Sequence, residues 1–226
     1  MNNIYILSIE TSADLCSVAL SANGEEIAIS NFKETKSHAQ KILILIEQLI
    51  NGVNLKLSNL NAIAISSGPG SYTGLRIGYA VIKGLCLALD IPLIEVNTLY
   101  AMASAVILKF PNYDYYIPML DARRMEIYSM VVNLNGKIIE DQKPVILDHH
   151  SFNYLDESST VIAFGSGSTK FCPISNKRPN WCTLPNVTPD ADYLIKLSYS
   201  KYLKNDFGYI NSCEPIYLKS FSSHLS

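Results

Sequence analysis

Apolar residues fall along this chain in short runs broken by turn residues. Residues 4–10 form one such run and 15–20 a second, and Asn23-Gly24 marks a hairpin turn before a third at 25–32. The pattern predicts strands over all three. It then predicts a helix at 38–50, an apolar strand at 61–67, a helix at 74–89, a short strand at 92–96 and a helix at 98–108. Further strands are expected at 116–121, 126–133 and 137–147, with Asn135-Gly136 as the turn before the last. Residues 191–203 read as an amphipathic helical segment with Tyr193, Leu194, Leu197 and Leu203 as its apolar positions, and 214–219 as an extended end.

The second series repeats the first. Glu10 is followed seven residues later by Ser17-Val18 and six later again by Asn23-Gly24; Asp121 is followed eight later by Ser129-Met130 and six later by Asn135-Gly136. Each meander leads on to an apolar strand that ends in a Gly-x-Gly turn, Gly68-Pro69-Gly70 and Gly165-Ser166-Gly167. A repeat of this length fits two similar lobes, each a three-stranded meander with helices, better than a solenoid. Recurrence of strand–turn–strand patterns by chance is the competing reading. The boundary is expected near Lys109-Phe110-Pro111-Asn112, giving an N-terminal lobe of residues 1–110 and a C-terminal lobe of 111–226. The last helical segment is expected to pack back on the first lobe.

Two helices carry more apolar residues than one face holds. Residues 42–46 are five consecutive apolar positions, and 74–89 contains only two charges, Arg76 and Lys83, with Gly74, Gly78 and Gly84 spread along it. A glycine inside a helix costs about 1 kcal/mol relative to alanine, so close approach of another backbone is expected. Two readings fit: a surface for a partner subunit, or helices sandwiched inside this chain.

Composition narrows the function classes. The chain has 226 residues, 48% hydrophobic and 17% charged, with 18 basic against 20 acidic side chains and a net charge of −2. That balance argues against a protein that grips nucleic acid unaided, and the apolar fraction argues against disorder. No uninterrupted run of about 18 apolar residues points to a membrane span, and no secretory leader is visible at the start. Five scattered cysteines without a C-x-x-C pair fit a reduced, cytoplasmic setting rather than a disulfide framework or zinc site.

The candidate chemistry is sparse. Gly68-Pro69-Gly70-Ser71-Tyr72-Thr73-Gly74 joins a strand to a helix, where backbone N–H groups can bind an anion. It lacks the P-loop ending, and Pro69 removes a donor, so a tight structural turn is the favoured reading. In folds of two meandering lobes, the turns after the first strands face a cleft that holds nucleotide phosphates. On that basis Glu10, Thr11, Ser12, Ser67, Gly68 and Asp121 are the candidate remnant of a nucleotide cleft. For Asp121-Ala122-Arg123-Arg124 a surface hairpin turn with paired charges is the simpler reading. His38 has Ile42 four residues on, and His149 and His150 are adjacent, so no metal ligand pair is expected. No nucleophile with an activating base stands out.

Ile9-Glu10-Thr11-Ser12, Ser17-Val18-Ala19-Leu20, His38-Ala39-Gln40-Lys41-Ile42-Leu43, the stretch from Ser67-Gly68-Pro69-Gly70 through Thr73-Gly74-Leu75-Arg76-Ile77-Gly78 with Lys83-Gly84-Leu85, and Leu120-Asp121-Ala122-Arg123-Arg124-Met125-Glu126-Ile127-Tyr128 closely resemble the TsaB (YeaZ) family. Phe164-Gly165-Ser166-Gly167 and Pro215-Ile216-Tyr217-Leu218-Lys219 fall at fitting places further on. The resemblance implies an α/β, two-lobed actin-like ATPase (ribonuclease-H-like) fold. It implies a non-catalytic scaffold that activates the catalytic relative TsaD, with the ATPase TsaE joining the pair and TsaC making the adenylate. The reaction is threonylcarbamoylation of the adenosine beside the anticodon in tRNAs reading codons that begin with A. It further implies that ATP and metal belong to partner subunits, so no cofactor is expected here, and that tRNA is met mainly through the complex. In TsaD the equivalent first helix carries two metal-binding histidines; only His38 stands here. The family's first two helices join it to TsaD, or to a second copy when alone. The interface residues implied are His38, Ile42, Leu45, Leu49, Gly74, Leu75, Arg76, Gly78 and Ile82. The alternative is a small-molecule kinase or ATP hydrolase of the actin-like superfamily, and an endopeptidase lacks both nucleophile and metal.

Overall fold

The computed structural model describes residues 3–33, 38–176 and 178–219, with the backbone alone for 33 and 38–40. In chain order the elements are β1 (Tyr5–Glu10), β2 (Leu15–Ala22), β3 (Glu25–Lys33), α1 (His38–Gly52), β4 (Ala62–Ser66), α2 (Tyr72–Leu89), β5 (Leu93–Val96), α3 (Thr98–Lys109), β6 (Tyr115–Asp121), β7 (Glu126–Asn133), β8 (Ile138–Ile146), β9 (Val161–Phe164), α4 (Ser168–Ser175), β10 (Trp181–Leu184) and α5 (Asp192–Leu203). Two of these were not expected from the sequence. Helix α4 has eight residues and holds Pro173, a helix breaker. Strand β10 has four residues, all half-buried, so it shows no alternation.

The strands form two five-stranded sheets, ordered β3-β2-β1-β4-β5 and β8-β7-β6-β9-β10. Each β strand of the first sheet thus has its counterpart in the second, five positions on. In both, the meander is antiparallel and the two later strands add in parallel: Ile6 to Ile9 of β1 pair with Ala62 to Ile65 of β4, and Tyr115 to Pro118 of β6 with Val161 to Phe164 of β9. The turns agree as well, since Gly68 and Gly165, which follow β4 and β9, have φ of 101° and 100°. Only glycine adopts such values without strain.

The chain divides into two compact units, residues 1–102 with 188–215 and residues 103–187 with 216–226. A single cut near residue 110 does not describe it: the division falls inside α3, and the segment carrying α5 joins the first unit. There α5 packs on β1 and β5, and Gly208 donates its N–H to Leu93 O at 2.9 Å.

The first sheet is covered on both faces. Leu7, Ile9, Val18, Ile63 and Ile65 pack under Ile42, Leu45, Ile46, Leu49 and Ile82 of α1 and α2. Ile6, Ala62, Ala64 and Ile94 pack on the other face with Leu194 of α5. Strand β4 is therefore buried at every position, and its apolar run is that of a doubly covered parallel strand. Helix α2 is apolar and long enough, at 18 residues, to cross a membrane by composition. In the fold it lies against β4 and β5, with Gly74, Leu75, Gly78, Tyr79, Ile82 and Cys86 buried.

Candidate functional site

Two features of the first unit bear on function: the turn after β1, and the outer face of α1 and α2. Glu10 ends β1 and is 1% exposed. Its Oε1 accepts from Ser12 N–H at 2.5 Å and from Ser66 Oγ–H at 2.8 Å. Burial pushes its carboxyl above the usual carboxylate range, against the lowering effect of those hydrogen bonds; Asp190 adds to the rise. Thr11 and Ser12 are buried beside it.

The Gly-Pro-Gly turn closes over this strand end. A Cβ at Gly70 would lie 2.4 Å from Ser12 O, and Ser71 N–H donates to that same oxygen at 2.6 Å. Ser67 N–H is given to Val96 O at 2.7 Å, Gly68 N–H to Thr98 Oγ1 at 3.1 Å and Gly74 N–H to Ser71 Oγ at 3.2 Å. Four donors of the loop are thus spent inside the unit, and Pro69 has none. A buried carboxyl stands beneath them. This is the arrangement of a structural turn. Glu10, Thr11 and Ser12 thus lie at the strand end over which the loop beginning at Ser67 and Gly68 closes.

Asp121 belongs to the second unit and occupies the equivalent position at the end of β6. Its Oδ1 accepts from Arg123 N–H at 2.6 Å, the same i to i+2 bond that Glu10 makes with Ser12. Its surroundings are opposite. Partial burial works against ionisation, but the Lys170 ammonium at 2.7 Å and the Arg123 N–H outweigh it and hold the carboxyl below its usual range.

The helices redraw the expected interface. Ile42, Leu45, Leu49, Leu75 and Ile82 are each 7% exposed or less and belong to the first unit's own core, so a partner cannot reach them. Gly74 and Gly78 do admit a close neighbour, but it is this chain's own Thr11: a Cβ would lie 2.1 Å from its backbone O at Gly74 and 2.4 Å from its side-chain Oγ1 at Gly78. Arg76 is exposed, with its guanidinium 4.0 Å from the Tyr72 ring centroid. The side chain of His38 lies outside the described residues.

What remains outward is a different set. Leu43 is 50% exposed, Ile44 49% and Leu87 64%, with Ala80, Gly84 and Ala88 also exposed on α2. Nothing would lie within 4 Å of a Cβ at Gly84. The sequence held a signal for this face. Glu47 and Gln48 are the polar pair of α1, and they fix its outer side one turn beyond Leu43 and Ile44.

Two buried thiols of the first unit are muted. Burial pushes the Cys16 thiol up to about 11, with Glu10 adding to it, and the Cys86 thiol up to about 12. Both are therefore protonated at neutral pH and poor nucleophiles. No group of three metal-ligating side chains occurs among the described residues.

A family model described as tRNA N6-adenosine threonylcarbamoyltransferase, TsaD, matches residues 32–152. The tRNA threonylcarbamoyladenosine biosynthesis protein TsaB of Haemophilus influenzae is 29% identical over 97% of this chain and 95% of its own length. That of Buchnera aphidicola from Acyrthosiphon pisum is 31% identical over 86% of this chain and 90% of its own. Among solved structures, a Pseudomonas aeruginosa protein described as similar to peptidase YeaZ superposes with a TM-score of 0.82 at 25% identity, covering 96% of this chain and all of that one. The two-unit α/β fold is the actin-like one. With the fold duplicated strand for strand and the sequence matched almost end to end, this chain belongs to the TsaB (YeaZ) family.

Proposed function

We propose that the chain is a non-catalytic, cytoplasmic subunit of tRNA threonylcarbamoyladenosine synthesis. It pairs with the catalytic subunit TsaD, and with TsaE, for threonylcarbamoylation of the adenosine next to the anticodon in tRNAs reading codons that begin with A. It works as scaffold and activator, while ATP and metal are used by the partner subunits. Alone, it pairs with a second copy through the same face.

One observation carries this reading. Leu43, Ile44 and Leu87 stand exposed on the outer face of α1 and α2, after the inner faces have filled the core. Covering the exposed half of one such side chain is worth about 0.8–1.5 kcal/mol, and a flat patch at Ala80, Gly84 and Ala88 lets another helix approach closely. The muted thiols and the committed donors of the Gly-Pro-Gly turn fit a subunit that leaves the chemistry to others. Native mass measurement of the chain mixed with TsaD is the test. A one-to-one species that replaces the chain's self-association supports the reading. Two separate masses at micromolar concentration would overturn it.

A further inference from the structure

We propose that the β6–β7 turn carries a contact for the phosphate backbone of RNA, made by Arg123 and Arg124. The inference rests on the proposed role, because that role brings the chain beside a tRNA.

Arg123 and Arg124 have φ of 71° and 48°. A left-handed backbone is unfavourable for a residue with a Cβ, and Gly, Asn and Asp tolerate it best. Four of the five other non-glycine residues with positive φ are Asn23, Asn54, Asp90 and Asn205. Two adjacent arginines break that pattern. The turn is nonetheless firmly held: Ala122 N–H donates to Glu126 O at 3.0 Å, Glu126 N–H to Arg123 O at 3.1 Å, and Leu147 N–H to Met125 O at 2.8 Å.

The local charge is unbalanced. Asp121 and Glu126 flank the turn, and each is taken by a lysine from elsewhere in the unit, Lys170 of α4 and Lys219 near the C-terminus. Four cations therefore face two carboxylates, and the excess lies on the arginines. Both are exposed, and neither guanidinium has an ion-pair or hydrogen-bond partner among the described residues. The fold does not demand this charge. The first unit makes the same acid-to-backbone bond, from Ser12 N–H to Glu10, in a turn that carries no arginine and no residue of positive φ. A planar guanidinium fork binds phosphate oxygens in pairs, and a fixed turn presents two such forks side by side. On a chain of net charge −2, this is a local contact and not a general attraction.

The test is a salt titration of labelled tRNA binding, run on the full chain alone and on its complex with TsaD. The variants are Arg123→Gly/Arg124→Gly, which keeps the left-handed turn, and Arg123→Lys/Arg124→Lys, which keeps the charge. Removing two phosphate contacts should flatten the slope of log K against log salt by about 1.4–1.8. Between 50 and 200 mM salt the unaltered protein should then lose about tenfold more affinity than the glycine variant, and the lysine variant should behave as unaltered. An unchanged slope in both preparations overturns the proposal. So does a glycine variant that loses TsaD or ATP binding while its tRNA slope is intact, since the turn would then serve a protein or a free nucleotide. The proposed role fails separately, when the unaltered chain forms no complex with TsaD.

Discussion

Three glycines of α2 separate two causes of the same residue choice. Gly74 and Gly78 sit against Thr11, where a methyl group has no room, whereas Gly84 faces open space. Gly78→Ala should therefore destabilise the protein by about 1–3 kcal/mol through overpacking, and Gly74→Ala by at least as much, because the obstructing atom is a backbone oxygen. Gly84→Ala should stabilise it by about 0.5–1 kcal/mol through helix propensity. Thermal unfolding of the three variants checks the order. A second residue-scale prediction concerns Asp192 at the start of α5. Burial, then the nearby charges of Asp190 and Glu26, push its carboxyl up to about 6. The raised value means that the folded form holds a proton which the unfolded form has already lost. Stability from this group is thus complete below about pH 4 and falls away as pH rises through 6. Asp192→Asn should remove that loss, gaining at most about 1 kcal/mol at pH 7 after screening at this half-exposed site, and nothing at pH 4. Equal gains at both pH values would contradict the assignment.

At the scale of elements, α1 and α2 divide into an inner and an outer face. Leu45→Asp or Leu75→Asp places a charge in the core of the first unit and should unfold it, seen as lost circular dichroism. Leu43→Asp combined with Leu87→Asp should leave the dichroism intact and abolish pairing in size-exclusion chromatography. If the outer variants pair normally, the surface lies elsewhere. Much of this layer was legible in the sequence. Short apolar runs and turn dipeptides located the strands of both meanders, and the acid-to-turn spacing from Glu10 and Asp121 exposed the duplication. The five apolar residues in succession in α1 satisfy any phase by themselves, and only Glu47 and Gln48, one turn on, mark which side faces outward. The reading of Gly74 and Gly78 as open to a partner failed. What approaches them is Thr11, more than sixty positions away in the chain, and nothing local records that contact. The surplus of apolar residues has the same source: the first sheet is covered on both faces, one of them by α5 from the far end of the chain.

At the scale of the whole molecule, duplication has produced two units with one topology and different turns. The first buries its acid, Glu10, under the Gly-Pro-Gly loop; the second exposes Asp121, balances it with Lys170 and raises two arginines beside it. A net charge of −2 is compatible with service to tRNA when another subunit supplies most of the RNA contact. That division of labour, chemistry in the partner and activation here, is best tested by reconstitution. Threonylcarbamoyl transfer to tRNA is measured with TsaD, TsaE and a supply of the adenylate, with this chain present or omitted. Transfer should depend on the chain, and should be lost when Leu43 and Leu87 are both changed to Asp. Full transfer in its absence would contradict the role proposed for it.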